Sequence, residues 1–234
     1  MEVLIITCDS YQWMIPIFTH FYKKYWPDNP YNTVIITEKR HIESEYPVFY
    51  AGKTSWSNEI LDYIRQSDDE SFLLILEDYL LRKKVNTEKV RIAKNLCVNK
   101  IGCVRLNNAP EKYFNQHTLR TGIKGFREYP IKRRFSWTMQ IAFWQKQFLL
   151  DTMREGESAW ESEENGIERL KNMKTDWEIL WPEENIIDYN PIGLMRKGIL
   201  EPKVLKWAKS ELEKNSKEYE ILENQIKKQS EMKC

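Results

Sequence analysis

The chain has 234 residues, 36 basic against 35 acidic, a formal net charge of +1 and 41% apolar residues. That balance supports an apolar core of ordinary size, and it leaves no surplus of cations to make nucleic acid or an anionic membrane the expected partner. The four cysteines (Cys8, Cys97, Cys103, Cys234) form no C-x-x-C pair and there are three histidines, a content that argues against a zinc centre or a disulfide framework.

The first residues, Met1 to Thr7, lack the basic start of a signal peptide, and no apolar run approaches the roughly 20 residues of a membrane span. A cytoplasmic protein without a transmembrane segment is expected. Val3–Thr7 is a short β-branched apolar run, the habit of a strand buried on both faces. Helical periodicity follows over Tyr11–Tyr25, with Pro16 delaying or kinking its start. Thr33–Thr37 reads as a second buried strand and Val48–Ala51 as a short third. Ser55 can cap a helix over Ser55–Arg65. Phe72–Leu76 is another buried strand, Thr87–Val98 a helix, and Ile101–Leu106 a strand.

Residues 107–134 show no clear period and suggest a variable substrate loop with a short hairpin. Thr138–Met153 and Trp160–Met173 read as helices. From Leu205 the apolar or neutral positions Leu205, Ala208, Leu212, Asn215, Tyr219, Leu222, Ile226 and Gln229 step by three and four. That rhythm fits either a surface helix packed on its own domain or a coiled-coil or docking helix. Alternating strands and helices up to Leu106 imply a mostly parallel sheet with crossover helices.

In such sheets ligands bind beyond the carboxyl ends of the strands. Three of those ends are polar: Thr7-Cys8-Asp9-Ser10-Tyr11, Thr37-Glu38 and Glu77-Asp78-Tyr79. A carboxylate there can hold a ribose hydroxyl or a metal-bound pyrophosphate. Gly156 to Glu164 is a second acidic concentration around Trp160. It suits a general base or, equally in keeping with its composition, a solvated helix start. Neither phosphate-binding glycine motif is present, and no G-x-S-x-G elbow.

Taken in order, these pieces resemble a known group. They are Leu4-Ile5-Ile6-Thr7-Cys8-Asp9-Ser10-Tyr11, Tyr25-Trp26-Pro27-Asp28, Ser55-Trp56-Ser57, Leu73 to Tyr79, Cys103 to Leu106, Phe135 to Trp144, Glu155 to Glu163, and Asp188-Tyr189 to Lys197-Gly198. The chain resembles bacterial and viral glycosyltransferase-like proteins of the GT-A fold over residues 1 to about 200. The resemblance implies an α/β, GT-A-like, Rossmann-type sheet with flanking helices (1–200); beyond it, the rhythm of three and four steps predicts a long amphipathic C-terminal helix (201–234) for packing or homo-oligomerisation.

The resemblance further implies a nucleotide-sugar donor, contacted by Thr7, Asp9, Tyr11, Trp56, Glu77, Asp78, Arg196 and Lys197, and a glycan or other hydroxyl acceptor. Tyr79, Gln140 and Trp144 would border the sugar, the last two from the Thr138–Met153 helix. Glu77-Asp78-Tyr79 stands where this fold carries Asp-x-Asp, and it lacks the second Asp. Asp78 is then the ligand for a divalent Mn²⁺ or Mg²⁺; without metal, Arg196 or Lys197 would neutralise the leaving diphosphate. Glu161, with Glu163 behind it, is the candidate base for a single inverting displacement. The alternatives are a degenerate, non-catalytic sugar or nucleotide binder with an interaction helix, and a nucleotidyltransferase. The latter is disfavoured because Cys8–Trp13 carries no glycine and no lysine.

Overall fold

The computed structural model describes residues 1–52, 55–108 and 118–231. Its first half alternates strand and helix as the sequence suggests. The elements are β1 (Glu2–Ile6), α1 (Ile15–Tyr25), β2 (Asn32–Thr37), β3 (Val48–Tyr50), α2 (Trp56–Gln66), β4 (Ser71–Leu76), α3 (Thr87–Leu96) and β5 (Ile101–Arg105). A 3₁₀ turn over Gln12–Met14 precedes α1, and Pro16 falls in the first turn of that helix, where its missing N–H costs nothing. Then follow β6 (Leu119–Arg120), β7 (Phe126–Glu128), β8 (Ala142–Gln145), α4 (Lys146–Thr152), α5 (Ala159–Asn172), β9 (Glu178–Pro182), β10 (Met195–Arg196), β11 (Ile199–Leu200), α6 (Pro202–Glu211) and α7 (Lys217–Glu231).

The main sheet has the order β3-β2-β1-β4-β8-β5-β9-β7-β6. β1 is parallel to β2 and β4, and β2 to β3; β8 runs antiparallel between β4 and β5, which is itself parallel to β9. The chain builds outward from β1 first to one side and then to the other, which puts a topological switch between β1 and β4. Successive residues of β1 point to opposite faces. Val3 and Ile5 join one apolar cluster with Phe18, Phe21 and Val90; Leu4 and Ile6 join another with Ile60, Leu61 and Phe148. Burial on both faces explains why these strands read as unbroken apolar runs.

Two expectations are corrected. The Thr138–Met153 helix is in fact loop, strand β8 and the short helix α4. The C-terminal heptad rhythm is split: α6 ends at Glu211 and α7 begins at Lys217, so Leu212 and Asn215 lie in the connection. Val204, Ala208, Leu212 and Leu222 enter the same apolar cluster as Val3 and Ile5, so this stretch packs back on the sheet. The short hairpin expected within 107–134 is β6–β7; residues 109–117 of that loop, and Cys234, lie outside the described residues. No helix among the described residues is long and apolar enough to cross a membrane.

Candidate functional site

A cleft of about 700 Å³ opens at the carboxyl ends of β1, β2 and β4. Thr7, Tyr11, Trp56, Glu77, Asp78, Tyr79, Glu161, Glu163, Arg196 and Lys197 all line it, so ten of the thirteen candidate residues, drawn from five separate stretches of chain, converge there. Cys8, Glu38, Ser55, Met139, Trp160 and Met195 join them. The Cys8 thiol is pushed up to about 11 by burial and by Glu77, so it stays neutral near pH 7 and is no nucleophile.

The floor is acidic. Glu77 is buried and follows β4 directly, its amide donating to the Ile6 carbonyl (3.2 Å). Burial, and then the Asp78 charge beside it, drive the Glu77 carboxyl well above its ordinary range. Burial raises Asp78 to about 7, although amides including that of Met195 oppose the rise. Asp78 is covered by Gly193, which adopts φ +81°. A Cβ on that glycine would stand 1.9 Å from Asp78 Oδ2. Only glycine supplies both the backbone angle and the space. Leu194 N donates to the Asp78 carbonyl (2.8 Å) and ties the 190s segment across the end of β4.

That segment continues into the β10–β11 hairpin, whose two turn residues, Lys197 (φ +51°) and Gly198 (φ +78°), both have positive φ. Such turns match the strand twist in a tight hairpin. The hairpin carries Arg196 and Lys197 to the cleft, exposed and without an ion pair among the described residues. It is held from behind by α7: Gln229 Nε2 donates to the Gly198 carbonyl (3.1 Å), and Gln229 Oε1 accepts from Leu200 N (3.2 Å).

The two candidate bases differ. Glu161 is exposed and closes a capping box, its Oε2 accepting from Ser158 N (2.8 Å). The Ser158 amide and hydroxyl hold its carboxyl below the ordinary range. Glu163 sits deeper, accepting from Met139 N (2.7 Å), and burial raises its carboxyl despite that amide and the Arg105 charge. A raised carboxyl nearer neutrality is the better proton acceptor of the two.

Three candidates do not line the cleft. Asp9 Oδ1 accepts from the amides of Lys39 (3.1 Å) and Arg40 (3.0 Å) and from Gln12 Nε2 (3.1 Å). It thus joins the ends of β1 and β2. Gln140 sits in a loop, not on a helix. It donates to Tyr79 Oη (2.7 Å) and the Pro191 carbonyl (3.1 Å) and accepts from Tyr189 Oη (2.9 Å), a chain that fixes Tyr79 against the 190s segment. Trp144 is on β8, fully buried and packed against Trp137 and Phe148, not on a helix bordering the sugar pocket.

Glu38 and Trp160 also line the cleft; the sequence marks them as a polar strand end and the centre of an acidic segment but gives neither a site role. Glu38 Oε2 accepts from Asp9 N (2.9 Å) at the end of β2. Trp160 is 68% exposed at the cleft although large and apolar; its place within an acidic turn was the available signal. Ser55 precedes α2, but its hydroxyl donates to the Glu157 carbonyl (3.5 Å) and shares a hydrogen bond with the Ser57 hydroxyl (3.2 Å) rather than capping an amide.

No protein-family model matches the chain, and no curated protein matches it. Solved structures do. The structure is similar to a CMP:2-keto-3-deoxy-manno-octonic acid synthetase complexed with CTP (TM-score 0.55, 12% identity, 88% of this chain and 95% of that one). It is similar to residues 1–349 of S. aureus TarS in complex with UDP (TM-score 0.54, 12% identity, 94% of this chain and 69% of that one). It is also similar to a cytidylyltransferase from Leptospira borgpetersenii serovar Hardjo-bovis (TM-score 0.51, 13% identity, 98% of this chain and 94% of that one). At such identities the likeness bears on fold alone, and it bears out the GT-A-like, Rossmann-type architecture expected from the sequence.

Proposed function

We propose that this chain transfers a sugar from a nucleotide-sugar donor to a hydroxyl of a glycan or other acceptor. One observation carries the reading: a single cleft joins the adjacent carboxylates Glu77 and Asp78, the cations Arg196 and Lys197, unpaired among the described residues, and the raised carboxyl of Glu163. Thr7, Tyr11 and Glu38, at the ends of β1 and β2, would hold the nucleoside. Trp56 and Trp160 offer flat faces at the same cleft. The catalytic body is residues 1–200, and α7 braces its hairpin through Gln229.

The donor set suits a hard divalent cation. The buried Glu77 and the half-buried Asp78 are adjacent carboxylates, both driven upward chiefly by burial, and carboxylate oxygens suit Mg²⁺ or Mn²⁺. Among the described residues no three His, Cys, Asp or Glu gather into a metal cluster, so Asp78 and Glu77 would supply part of the shell and donor oxygens and water the rest. When bound, such an ion supplies positive charge against the diphosphate.

Glu163 takes the proton from the acceptor hydroxyl as that oxygen bonds to the anomeric carbon. The bond from that carbon to the diphosphate oxygen breaks with its electron pair, and the configuration inverts. Arg196 and Lys197 stabilise the charge that develops on the departing diphosphate. Tyr79, held by Gln140, fixes the sugar-side wall.

Donor turnover tests the reading. Full-length protein is incubated with a panel of nucleotide sugars and Mn²⁺, and released nucleoside diphosphate and free sugar are measured. The transferase reading expects slow release of both by leakage to water, abolished in Glu163→Gln. Pyrophosphate release from a nucleoside triphosphate and a sugar acid or sugar phosphate would instead establish the nucleotidyltransferase reading. Binding without any turnover would establish the degenerate binder.

A further inference from the structure

A second groove, of about 900 Å³, lies at the opposite end of the sheet. Glu2 and Asn32, the first residues of β1 and β2, line it, whereas Thr7 and Glu38, just past the ends of those strands, line the first cleft. Five strand steps separate Glu2 from Thr7, about 17 Å at the usual rise. The two cavities are therefore separate sites.

The walls carry the half-buried rings of Tyr31, Tyr46, Phe49 and Tyr63, backed by the buried rings of Tyr22 and Trp26. They brace one another edge to face, Tyr22 with Tyr46 at 6.1 Å, Trp26 with Tyr31 at 6.2 Å and Phe49 with Tyr63 at 5.1 Å. Rings held this way present apolar faces at little further entropic cost. The charges in the groove are already used. Lys23 Nζ is paired with Glu45 (2.9 Å), and Glu2 accepts from Tyr63 Oη (2.7 Å). The Asn32 carboxamide and the Tyr46 hydroxyl line the same groove and make no hydrogen bond among the described residues. Free polar groups of this kind, set among rigid rings, fix orientation in a small-ligand cleft.

This combination selects its ligand. Rings without a free cation disfavour nucleotides and other phosphate-bearing ligands. A neutral pyranose has apolar C–H faces that stack on rings and rim hydroxyls that pair with an amide and a phenol. We propose that this groove binds a neutral saccharide chain, apart from the strand-end cleft. The proposal does not depend on the transferase reading, because a saccharide held here is too far from Glu77 and Asp78 to react.

The test titrates the full chain with cellotetraose, maltotetraose and N-acetylchitotetraose by calorimetry and ligand-observed NMR, with a proline-rich peptide as the competing class. At least one saccharide should bind. Tyr46→Ala should weaken it by about tenfold, whereas Tyr46→Phe, which keeps the ring, should retain most of the affinity. Asn32→Ala, at an exposed position that does not endanger folding, should cost about threefold to tenfold. Asp78→Ala, in the other cleft, should leave saccharide affinity unchanged. The proposal is overturned if no saccharide binds, if only the proline-rich peptide binds, if Tyr46→Ala and Asn32→Ala both bind normally, or if Asp78→Ala abolishes binding.

Discussion

Gly193→Ala is the sharpest probe of how the acidic floor is built. An L-residue at φ +81° carries a left-handed backbone penalty of about 1–2 kcal/mol. The new methyl would also stand 1.9 Å from Asp78 Oδ2 and 2.6 Å from its Cγ, so the carboxylate must leave its place and forfeit the Met195 amide. Stranding that donor adds about 1–3 kcal/mol. The total, about 2–5 kcal/mol, corresponds to a fall in melting temperature of about 2–4 °C per kcal/mol for a chain of this size. The assay is a double-mutant cycle with Asp78→Ala, read by urea unfolding. In the Asp78→Ala background only the backbone part should remain, so the two changes should couple by about 1–3 kcal/mol. Additivity to within about 0.5 kcal/mol would show that Gly193 does not seat Asp78, and the reasoning fails.

Glu163→Gln should lower transfer by about 10²–10⁴-fold. Glu161→Gln, whose amide oxygen still accepts from Ser158 N, should leave the melting temperature nearly unchanged and keep transfer within a few-fold, and the reverse ranking of the two variants would move the base to Glu161. Gln229→Ala should raise the KM for donor more than it lowers kcat, because it frees the hairpin bearing Arg196 and Lys197 without touching the reacting atoms. Unchanged kinetics would detach α7 from the site. The Asp78 carboxyl, at about 7 folded against 3.8 in an ordinary environment, keeps its proton in the fold while the unfolded chain has lost it. Stability should therefore fall as pH rises through that window. Asp78→Asn should flatten the fall, and equal pH slopes in both proteins would refute the assignment. Divalent cation should bind more tightly above the Asp78 value than below it, since binding needs the carboxylate ionised.

β1, β2, β4 and β5 were legible because each is buried on both faces and so shows as a continuous apolar run. The same property hid β8. Ala142-Phe143-Trp144 is equally apolar on both faces, and periodicity cannot separate a short buried strand from a buried helix, so Trp144 was assigned to a pocket it does not reach. The C-terminal rhythm failed at Leu212–Ser216. There Ser216 Oγ accepts from Tyr219 N (3.2 Å) and starts a new helix, a local hydrogen bond that outweighs a weak heptad seam. The floor of the site followed from strand ends alone. Its far wall depends on long-range closure: Gly193 against Asp78, the Lys197–Gly198 turn, and Gln229 behind it. In sequence these are an isolated glycine, a Lys-Gly pair and a glutamine in a charged helix, and only the fold gives them a common purpose.

The most direct test is a thermal-shift panel of nucleoside diphosphates and nucleotide sugars, with and without Mn²⁺, on the native chain and on Asp78→Ala. A ligand that binds only the folded state raises the melting temperature by mass action. At least one nucleoside diphosphate should stabilise the native chain, more so with Mn²⁺, and Asp78→Ala should lose the metal-dependent part. If no nucleotide shifts the native chain, the strand-end cleft is not a donor site.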